Sequence, residues 1–187
     1  MIEQIKSHIA ESIHTKQALL DDPDFMQSLA AVAKTCRDAL DSGHKILIAG
    51  NGGSAADAQH MAAELVGRFE KERASLPGIA LTTDTSALTA IANDYGYEHV
   101  FSRQLQGLGQ AGDIFIGIST SGNSANIIKA VEMAKSKAIK SIALTGIGGQ
   151  LEALADVTLS IPSPRTAIVQ ESHIMIAHLL CHLIDSE

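Results

Sequence analysis

The sequence predicts an α/β fold built on a doubly wound, five-stranded parallel sheet. From residue 45 onward, short apolar runs alternate with longer segments of helical periodicity, which is typical of successive βαβ units. The apolar runs are continuous, as expected for strands covered on both faces. The chain has 187 residues, 45% of them hydrophobic, which is enough for the core of one domain. We therefore expect a single domain over residues 1–187, with an N-terminal helical extension over 1–43 and an α/β core over 44–187.

Two helices are predicted ahead of the first strand. The first should be amphipathic and run to about Leu20, because isoleucines recur along it at helical spacing. These are Ile2, Ile5, Ile9 and Ile13. Asp22 and Pro23 supply a cap and a first-turn proline for the second helix, which should end near residue 42. Either both helices cover the sheet, or the first packs on a partner subunit; the sequence leaves both possibilities open.

Five strands are predicted from the apolar runs, with helices between them. The strands are expected at residues 45–50, 78–83, 113–119, 141–145 and 157–161. The intervening helices are expected near residues 54–70, 85–92, 98–107, 124–137 and 149–155. A last helix over 166–185 is apolar on all sides, so we expect it to be buried, which in a small domain favours an oligomer interface.

A glycine turn, Asn51-Gly52-Gly53, follows the first predicted strand. Ser54 is expected to begin the next helix, with Asp57 completing a capping box. A strand, a glycine turn and a helix start direct backbone N–H groups and a dipole end at one spot, which suits an anion such as phosphate. The pattern is neither Gly-x-Gly-x-x-Gly nor a Walker loop, so dinucleotides and nucleoside triphosphates are not indicated. A purely structural turn remains an alternative.

A second candidate anion site follows the third predicted strand. Hydroxyl groups surround Gly122 at another helix start, and they can orient oxygen ligands without adding charge. They belong to Ser119, Thr120, Ser121 and Ser124. An ordinary turn would have a similar composition. In a flavodoxin-like strand order 2-1-3-4-5, strands one and three are neighbours at the switch point, where ligands bind. The two polar turns would then lie side by side.

Composition argues against several classes of partner. The formal net charge is −7, no run of Lys and Arg is present, and aromatic residues make up 3% with no Trp, so we expect no nucleic-acid binding. No continuous apolar run approaches the length of about 18 residues that a membrane span needs. Cys36 and Cys181 lie in apolar helical patterns and read as reduced core residues. The first residues lack a signal-peptide core, so we expect a cytoplasmic protein.

Four residues are candidates for chemistry. His60 and Glu64 lie four residues apart and share a helix face. They are either a solvated pair or, amid apolar neighbours, a pair that has further partners. Gln170 and His178 lie two turns apart on the last helix, where a histidine is ordinarily a satisfied core or interface residue. His173, on the same helix, is left unassigned.

Four further polar residues have either a structural or a functional interpretation. Asn93 and Asp94, at the end of the short helix after Thr85, form either a cap-and-turn pair or a substrate contact. Arg68 and Arg103 could balance a phosphate charge, although arginines at such positions commonly form surface pairs.

The chain resembles the sugar-isomerase (SIS) domain family along nearly its whole length, in particular the members that isomerise heptose phosphates. The motifs that carry this resemblance are GNGGSAADAQH at 50–60, AELVGR at 63–68, LTTDTSAL at 81–88, NDYG at 93–96, GISTSGNS at 117–124 and QESH at 170–173. The resemblance implies conversion of sedoheptulose 7-phosphate to D-glycero-D-manno-heptose 7-phosphate through an enediolate, for ADP-heptose and lipopolysaccharide core synthesis. It also implies a homotetramer with active sites at the subunit interfaces.

The resemblance also implies roles for particular residues. One zinc ion per subunit would be held by His60, Glu64, Gln170 and His178, and we expect Glu64 and His178 to carry the proton transfers. Substrate contacts would come from the residues in matching positions. These are Asn51, Gly52, Gly53, Glu64, Asn93, Asp94, Ser119, Thr120, Ser121, Ser124 and Gln170.

One position departs from the family pattern. The family usually has an arginine two residues before the glutamine, whereas this chain has Ile168, with Arg165 nearby. Two alternative functions remain at this point. One is a non-catalytic SIS-domain protein that associates with a bacterial replication initiator, which would have no need for His60, Glu64 and His178 together. The other is an isomerase of a different sugar phosphate.

Overall fold

A parallel sheet with the strand order β2-β1-β3-β4-β5 lies at the centre of the fold. The computed structural model describes residues 1–186. The strands are β1 (Ile46–Gly50), β2 (Gly78–Ala80), β3 (Ile114–Ser119), β4 (Lys140–Gly146) and β5 (Val157–Ile161). The predicted fold class and strand order are confirmed. The predicted second strand is three residues too long, because the chain leaves the sheet edge after Ala80 and Asp84 caps the next helix.

Eight helices accompany the sheet in the described residues. They are α1 (Ile2–Leu20), α2 (Pro23–Asp41), α3 (Gly53–Val66), α4 (Thr85–Tyr95), α5 (Val100–Leu108), α6 (Ala125–Ser136), α7 (Leu151–Leu154) and α8 (Thr166–Asp185). Alternate strand residues point to opposite faces of the sheet. Ile46 and Ile48 pack with the apolar residues of α2, α3 and α8, whereas Leu47 and Ala49 pack with those of α5 and α6. The sheet is therefore covered on both faces, as its apolar runs predict.

The capping box expected at Ser54 and Asp57 is wrong. The helix begins one residue earlier, at Gly53, its N-cap is Gly52, and no side chain caps it. Gly52 has φ +57°, a left-handed conformation that glycine adopts at little cost, and it turns the chain into the helix directly. Ser54 consequently lies inside the first turn, where it is buried.

The apolar stripe of α1 does not cover the sheet. Its four isoleucines are between 53% and 69% exposed, whereas Thr15 and Leu19 on the other side of the helix are buried. Polar contacts attach α1 to α8: Lys16 Nζ lies 2.7 Å from Glu171 Oε1, and Arg165 pairs with Glu11. The stripe therefore faces solvent in the single chain, which leaves it available to another subunit.

Helix α8 is the only helix within residues 1–186 that is long and apolar enough, by length and composition, to cross a membrane. Half of the apolar 18-residue stretch of α8 is buried inside the fold. The core helix of a soluble protein can have the same length and composition. Within α8, Leu179 and Leu183 remain 38% and 37% exposed. The expected burial is thus partial in the single chain.

The cysteines behave as predicted. Cys36 on α2 and Cys181 on α8 are buried and free. Burial raises the pKa of each thiol to about 12, so both are protonated at neutral pH and poorly reactive. They serve as small apolar groups in the core between the two helices.

A buried ion pair joins the segment after α3 to the end of α8. Arg73 Nε lies 2.7 Å from Asp185 Oδ1, and the two side chains are 17% and 2% exposed. The same guanidinium donates to the Glu64 carbonyl oxygen at 2.9 Å and to the Leu65 carbonyl oxygen at 2.9 Å. This pair therefore holds the C-terminal ends of α3 and α8 together.

Replacing Arg73 should destabilise the fold strongly. Arg73→Met leaves the buried Asp185 carboxylate without its cation, so we expect a loss of roughly 3 kcal/mol in the free energy of unfolding, measured in urea at pH 7. The matched control is Arg68→Met, because Arg68 forms an exposed pair with Glu72 at 3.5 Å. Its loss should stay below about 1 kcal/mol. Equal losses in the two variants would contradict the assigned role of Arg73.

Acid should reduce the difference in the free energy of unfolding, measured in urea, between wild type and Arg73→Met. Burial alone would raise the pKa of Asp185, but hydrogen bonds from Arg73 and from the Glu70 N–H outweigh it and hold this pKa below its usual value. At pH values above the ordinary pKa of an Asp side chain, the pair therefore stabilises the fold fully. Its contribution is lost as the pH falls through the lowered pKa of Asp185.

Candidate active site

The glycine turn and the hydroxyl turn (residues 119–124) lie next to each other. Because β1 and β3 are paired, Gly50 is opposite Ile118, and the turns that follow leave the same edge of the sheet. Asn51 Nδ2 donates to Asn126 Oδ1 at 2.9 Å, and Asn126 Nδ2 donates to Asn51 Oδ1 at 2.8 Å. This reciprocal amide pair connects the end of β1 to the first turn of α6.

Asn126 and Tyr97 were not found by sequence reasoning. Tyr97 Oη donates to Asn51 Oδ1 at 3.2 Å, which adds a third member to the amide pair. Asn126 carries a usable signal, because a polar residue beside Ile127 at the start of an apolar helix needs a partner when it is buried. Tyr97 carries no such signal, since it meets Asn51 only through the tertiary fold.

The hydroxyl turn is stabilised from within. Ser119 Oγ and Ser124 Oγ are 2.8 Å apart, and Ser119 Oγ accepts from the Ser124 N–H at 3.4 Å. Gly122 has φ +65°, and a Cβ there would lie 2.5 Å from the Gly148 carbonyl oxygen, so only glycine fits. α6 begins directly after Ser124. A helix start with hydroxyl groups and no lysine or arginine in the turn can bind an anion only through neutral donors.

Three of the four predicted metal ligands converge on one point between α3 and α8. His60 Nε2 lies 3.2 Å from Glu64 Oε1, one turn along α3, and 3.0 Å from His178 Nε2 on α8. Phe69 stacks on the His178 ring, with centroids 5.5 Å apart. We call these three residues the His60 cluster.

Gln170, the fourth predicted ligand, contacts the start of α3. A Cβ added to Gly53 would be 2.7 Å from Gln170 Nε2, so the amide lies against the start of α3. His60 is two helical turns further along, about 10 Å at the ordinary rise of a helix. The structure therefore groups Gln170 with the glycine turn.

The His60 cluster fits a zinc ion in its chemistry. Within residues 1–186 no group of three or more His, Cys, Asp and Glu side chains is already arranged to hold a metal ion. Even so, two imidazole nitrogens and a carboxylate oxygen meet here, and their separations of 3.0 and 3.2 Å resemble the edge of about 3.3 Å of a tetrahedral zinc site. Each of the two ring nitrogens carries one proton or none, so hydrogen bonds alone pair the two nitrogens and the carboxylate oxygen poorly. A cation could accept a lone pair from all three atoms.

The remaining predicted residues are more peripheral. Asn93 Nδ2 donates to Asp94 Oδ1 at 2.8 Å in the exposed last turn of α4, a few residues before Tyr97. Arg68 pairs with Glu72, and Arg103 lies over the Tyr95 ring at 4.0 Å. Both arginines are thus engaged in surface pairs, the alternative considered above.

The departure at Ile168 has a clear structural outcome. Ile168 is fully buried in α8, so it fills the core. Arg165 extends to α1 instead, where it pairs with Glu11 and approaches His8 Nδ1 at 3.1 Å. Arg165 therefore ties α1 to the start of α8 within this chain.

The site is open in the single chain. The side chain of His60 is 47% exposed and that of Glu64 is 22% exposed. Burial raises the pKa of Asp57, one turn before His60, although the nearby His60 ring partly offsets this effect. The open polar side chains of His60 and Glu64 and the exposed apolar stripe on α1 both leave room for a neighbouring subunit.

Comparisons with known proteins agree with the fold described above. The SIS domain model matches residues 6–146. A phosphoheptose isomerase from Aneurinibacillus thermoaerophilus is 56% identical over 186 residues, which cover 99% of this chain and 94% of that protein. Among solved structures, a phosphoheptose isomerase from Neisseria gonorrhoeae superimposes with a TM-score of 0.92 at 50% identity, covering 99% and 98% of the two chains. One from Francisella tularensis gives a TM-score of 0.94 at 40% identity, covering 100% and 98%.

The family model covers most of the chain, and the named relatives align with nearly all of it. Identities of 56% and 50% extend the likeness from the backbone fold to about half of the side chains. The chain therefore belongs to the SIS domain family, in the group that contains the phosphoheptose isomerases.

Proposed function

We propose that this protein is an aldose–ketose isomerase that converts sedoheptulose 7-phosphate to D-glycero-D-manno-heptose 7-phosphate. The observation that carries the proposal is the end-to-end match to phosphoheptose isomerases at more than half identity. The geometry supports it, because acid–base side chains lie on α3, the helix that starts at the glycine turn. The product would supply ADP-heptose for lipopolysaccharide core synthesis.

The substrate phosphate binds at the hydroxyl turn in this proposal. Ser119, Thr120, Ser121 and Ser124 donate from their hydroxyl groups, and the start of α6 adds its dipole. The glycine turn, Gln170 and the Asn93-Asp94 pair bind the sugar hydroxyl groups. Holding the phosphate at one end positions the reacting carbons at the other, which is worth several kcal/mol of the barrier when the alignment is good.

Proton transfer is assigned to the His60 cluster. Glu64 removes the proton from the carbon next to the carbonyl, and His178 donates to or relays protons between the two oxygens. Glu64 Oε1 faces His60, so Oε2 is the oxygen that we assign to the base. Phe69 holds the His178 ring from one side. Positioned acid–base groups of this kind accelerate reactions by about 10²–10⁴.

One zinc ion per subunit is part of the proposal. His60, Glu64 and His178 would hold it, and Gln170, which lies against Gly53, would join them as the fourth ligand. When bound, zinc would stabilise the negative charge that develops on the enediolate oxygens. A carboxylate with both oxygens on the metal is a poor base, which is why the free oxygen of Glu64 matters.

The assembly is proposed to be a homotetramer with active sites at subunit interfaces. The isoleucine stripe of α1 and the exposed Leu179 and Leu183 of α8 are apolar surfaces that the single chain leaves uncovered. The open His60 cluster lies on α3 and α8, so a subunit packed beside α8 would help to enclose it. The two free, buried cysteines are consistent with a cytoplasmic location.

Glu64→Gln should abolish turnover of sedoheptulose 7-phosphate while the assembly stays intact. The amide cannot accept the proton, so we expect a loss of about 10³ or more in kcat, measured by NMR of the sugar products. Glu70→Gln is the control, because Glu70 pairs with His182 on the surface. Zinc content is measured for each variant to separate loss of the base from loss of the metal. An active Glu64→Gln protein would remove Glu64 from the role of base.

Removing zinc should stop the reaction reversibly. A chelator is expected to lower turnover to background without unfolding the protein, because the apolar core and the sheet do not depend on the metal. Adding Zn²⁺ should restore turnover, with circular dichroism monitoring the fold throughout. Turnover that is indifferent to chelation would reject the catalytic role of the metal while keeping the isomerase.

A charge in the isoleucine stripe should dissociate the tetramer. Ile9→Glu places a carboxylate in the apolar interface, where burial without a partner is costly, so sedimentation velocity should report a smaller species with a lower kcat. Ser7→Glu on the opposite side of α1 is the control and should stay tetrameric. A tetrameric Ile9→Glu protein would show that another surface makes the contact.

A further inference from the structure

His173 is a buried histidine to which the reaction described above gives no role. It lies in the middle of α8 and is 0% exposed. Its Nε2 is 3.1 Å from the carbonyl oxygen of Thr145. A carbonyl oxygen can only accept, so Nε2 carries the proton and Nδ1 carries the lone pair. Burial lowers the pKa of this ring to about 4, although the hydrogen bond opposes the shift, so His173 is neutral at physiological pH.

The Thr145 carbonyl is one half of a peptide group whose other half is the N–H of Gly146. That N–H donates to the Thr120 carbonyl oxygen, in the hydroxyl turn, at 3.1 Å. One peptide group therefore accepts a hydrogen bond from α8 and donates one to the turn. Successive hydrogen bonds through a peptide group polarise and strengthen each other.

The position of His173 on α8 is what makes this connection relevant to the site. Gln170 precedes it by one turn, and His178 follows it by about one and a half turns. The Arg73–Asp185 pair holds the C-terminal end of the same helix. His173 is thus the contact that joins the middle of α8, between two predicted site residues, to the strand edge where the hydroxyl turn begins.

We propose that His173 is a positioning residue, which sets the distance between the α8 side chains and the hydroxyl turn through the Thr145–Gly146 peptide group. The proposal rests on the proposed function, since it assumes that phosphate binds at the turn and that protons move at α8. His173 itself touches neither substrate nor reacting atoms. Its donor holds α8 in register with the turn, so the two ends of a bound sugar phosphate meet their partners simultaneously.

The kinetic test compares two substitutions of His173 with a matched control. His173→Phe keeps a ring but loses the donor, whereas His173→Gln keeps an N–H at a similar reach. Ser172→Ala removes the buried hydrogen bond from Ser172 Oγ to the Ile168 carbonyl, 2.7 Å, which stays within α8. All three are assayed per folded site, at a temperature where circular dichroism reports complete folding.

Misalignment of the reacting groups by about 1 Å costs on the order of 100-fold in rate. We therefore expect His173→Phe to lose about 10- to 100-fold in kcat with KM changed less than about threefold. His173→Gln should recover most of that loss, and Ser172→Ala should retain a kcat close to wild type. A His173→Phe kcat no lower than that of Ser172→Ala, or a Gln variant as impaired as the Phe variant, would overturn the proposal.

A measurement on the wild-type protein does not depend on turnover or on how the variants fold. Inorganic phosphate is titrated into the full-length, ¹⁵N-labelled protein, and the resonances of the turn amides, the Gly146 amide and the His173 Nε2–H are followed. We expect all three to shift along one binding curve. The positioning role would be overturned if phosphate shifted the resonances of the turn amides but not that of His173 Nε2–H. It would also be overturned if the turn amides did not respond to phosphate at all.

The two tests also separate this proposal from the isomerase itself. A protein that turns over no sedoheptulose 7-phosphate but shows the coupled phosphate shifts would reject the substrate and keep the connection through His173. If the protein isomerises the sugar but the phosphate-induced shifts of the turn and of His173 do not follow one curve, the isomerase function stands and the positioning role is rejected.

Discussion

The pairing of β1 with β3 is the constraint on which the candidate site depends. Parallel neighbours end at the same edge of a sheet, so the turns after Gly50 and Ser119 must leave the fold side by side. The Asn51–Asn126 amide pair then links them directly. Because α3 and α6 start from these two turns, two helix N-termini face one region, and an acidic protein gains a candidate anion site without a cluster of basic residues.

The proposed chemistry depends on a second arrangement, the packing of α8 against α3. His60 and Glu64 lie on one helix and His178 on the other, and they meet because both helices cover the same face of the sheet. α8 is held at its end by Arg73 and at its middle by His173. Its exposed leucines and the bare stripe of α1 leave apolar surface for further subunits. The candidate site is thus assembled by helix packing above a sheet edge.

Sequence reasoning succeeded where the signal is local or periodic and failed where geometry has to be known in detail. Continuous apolar runs identify the strands, and the hydroxyl and glycine turns are recognisable from composition. The capping box at Ser54 was wrong, because a positive φ at Gly52 starts the helix earlier than side-chain preferences indicate. Asn126 and Tyr97 were missed, since their contacts with Asn51 span 75 and 46 residues of chain.

The sequence by itself determined the α/β class, the two candidate anion turns and the family, because these follow from hydrophobic period, glycine placement and long shared motifs. Only the tertiary structure decided that His178 meets His60, that Gln170 lies at Gly53, and that His173 is connected to the hydroxyl turn. The physical reason is that helix packing sets which side chains face each other across a gap of a few ångströms. No local pattern along the chain encodes that distance.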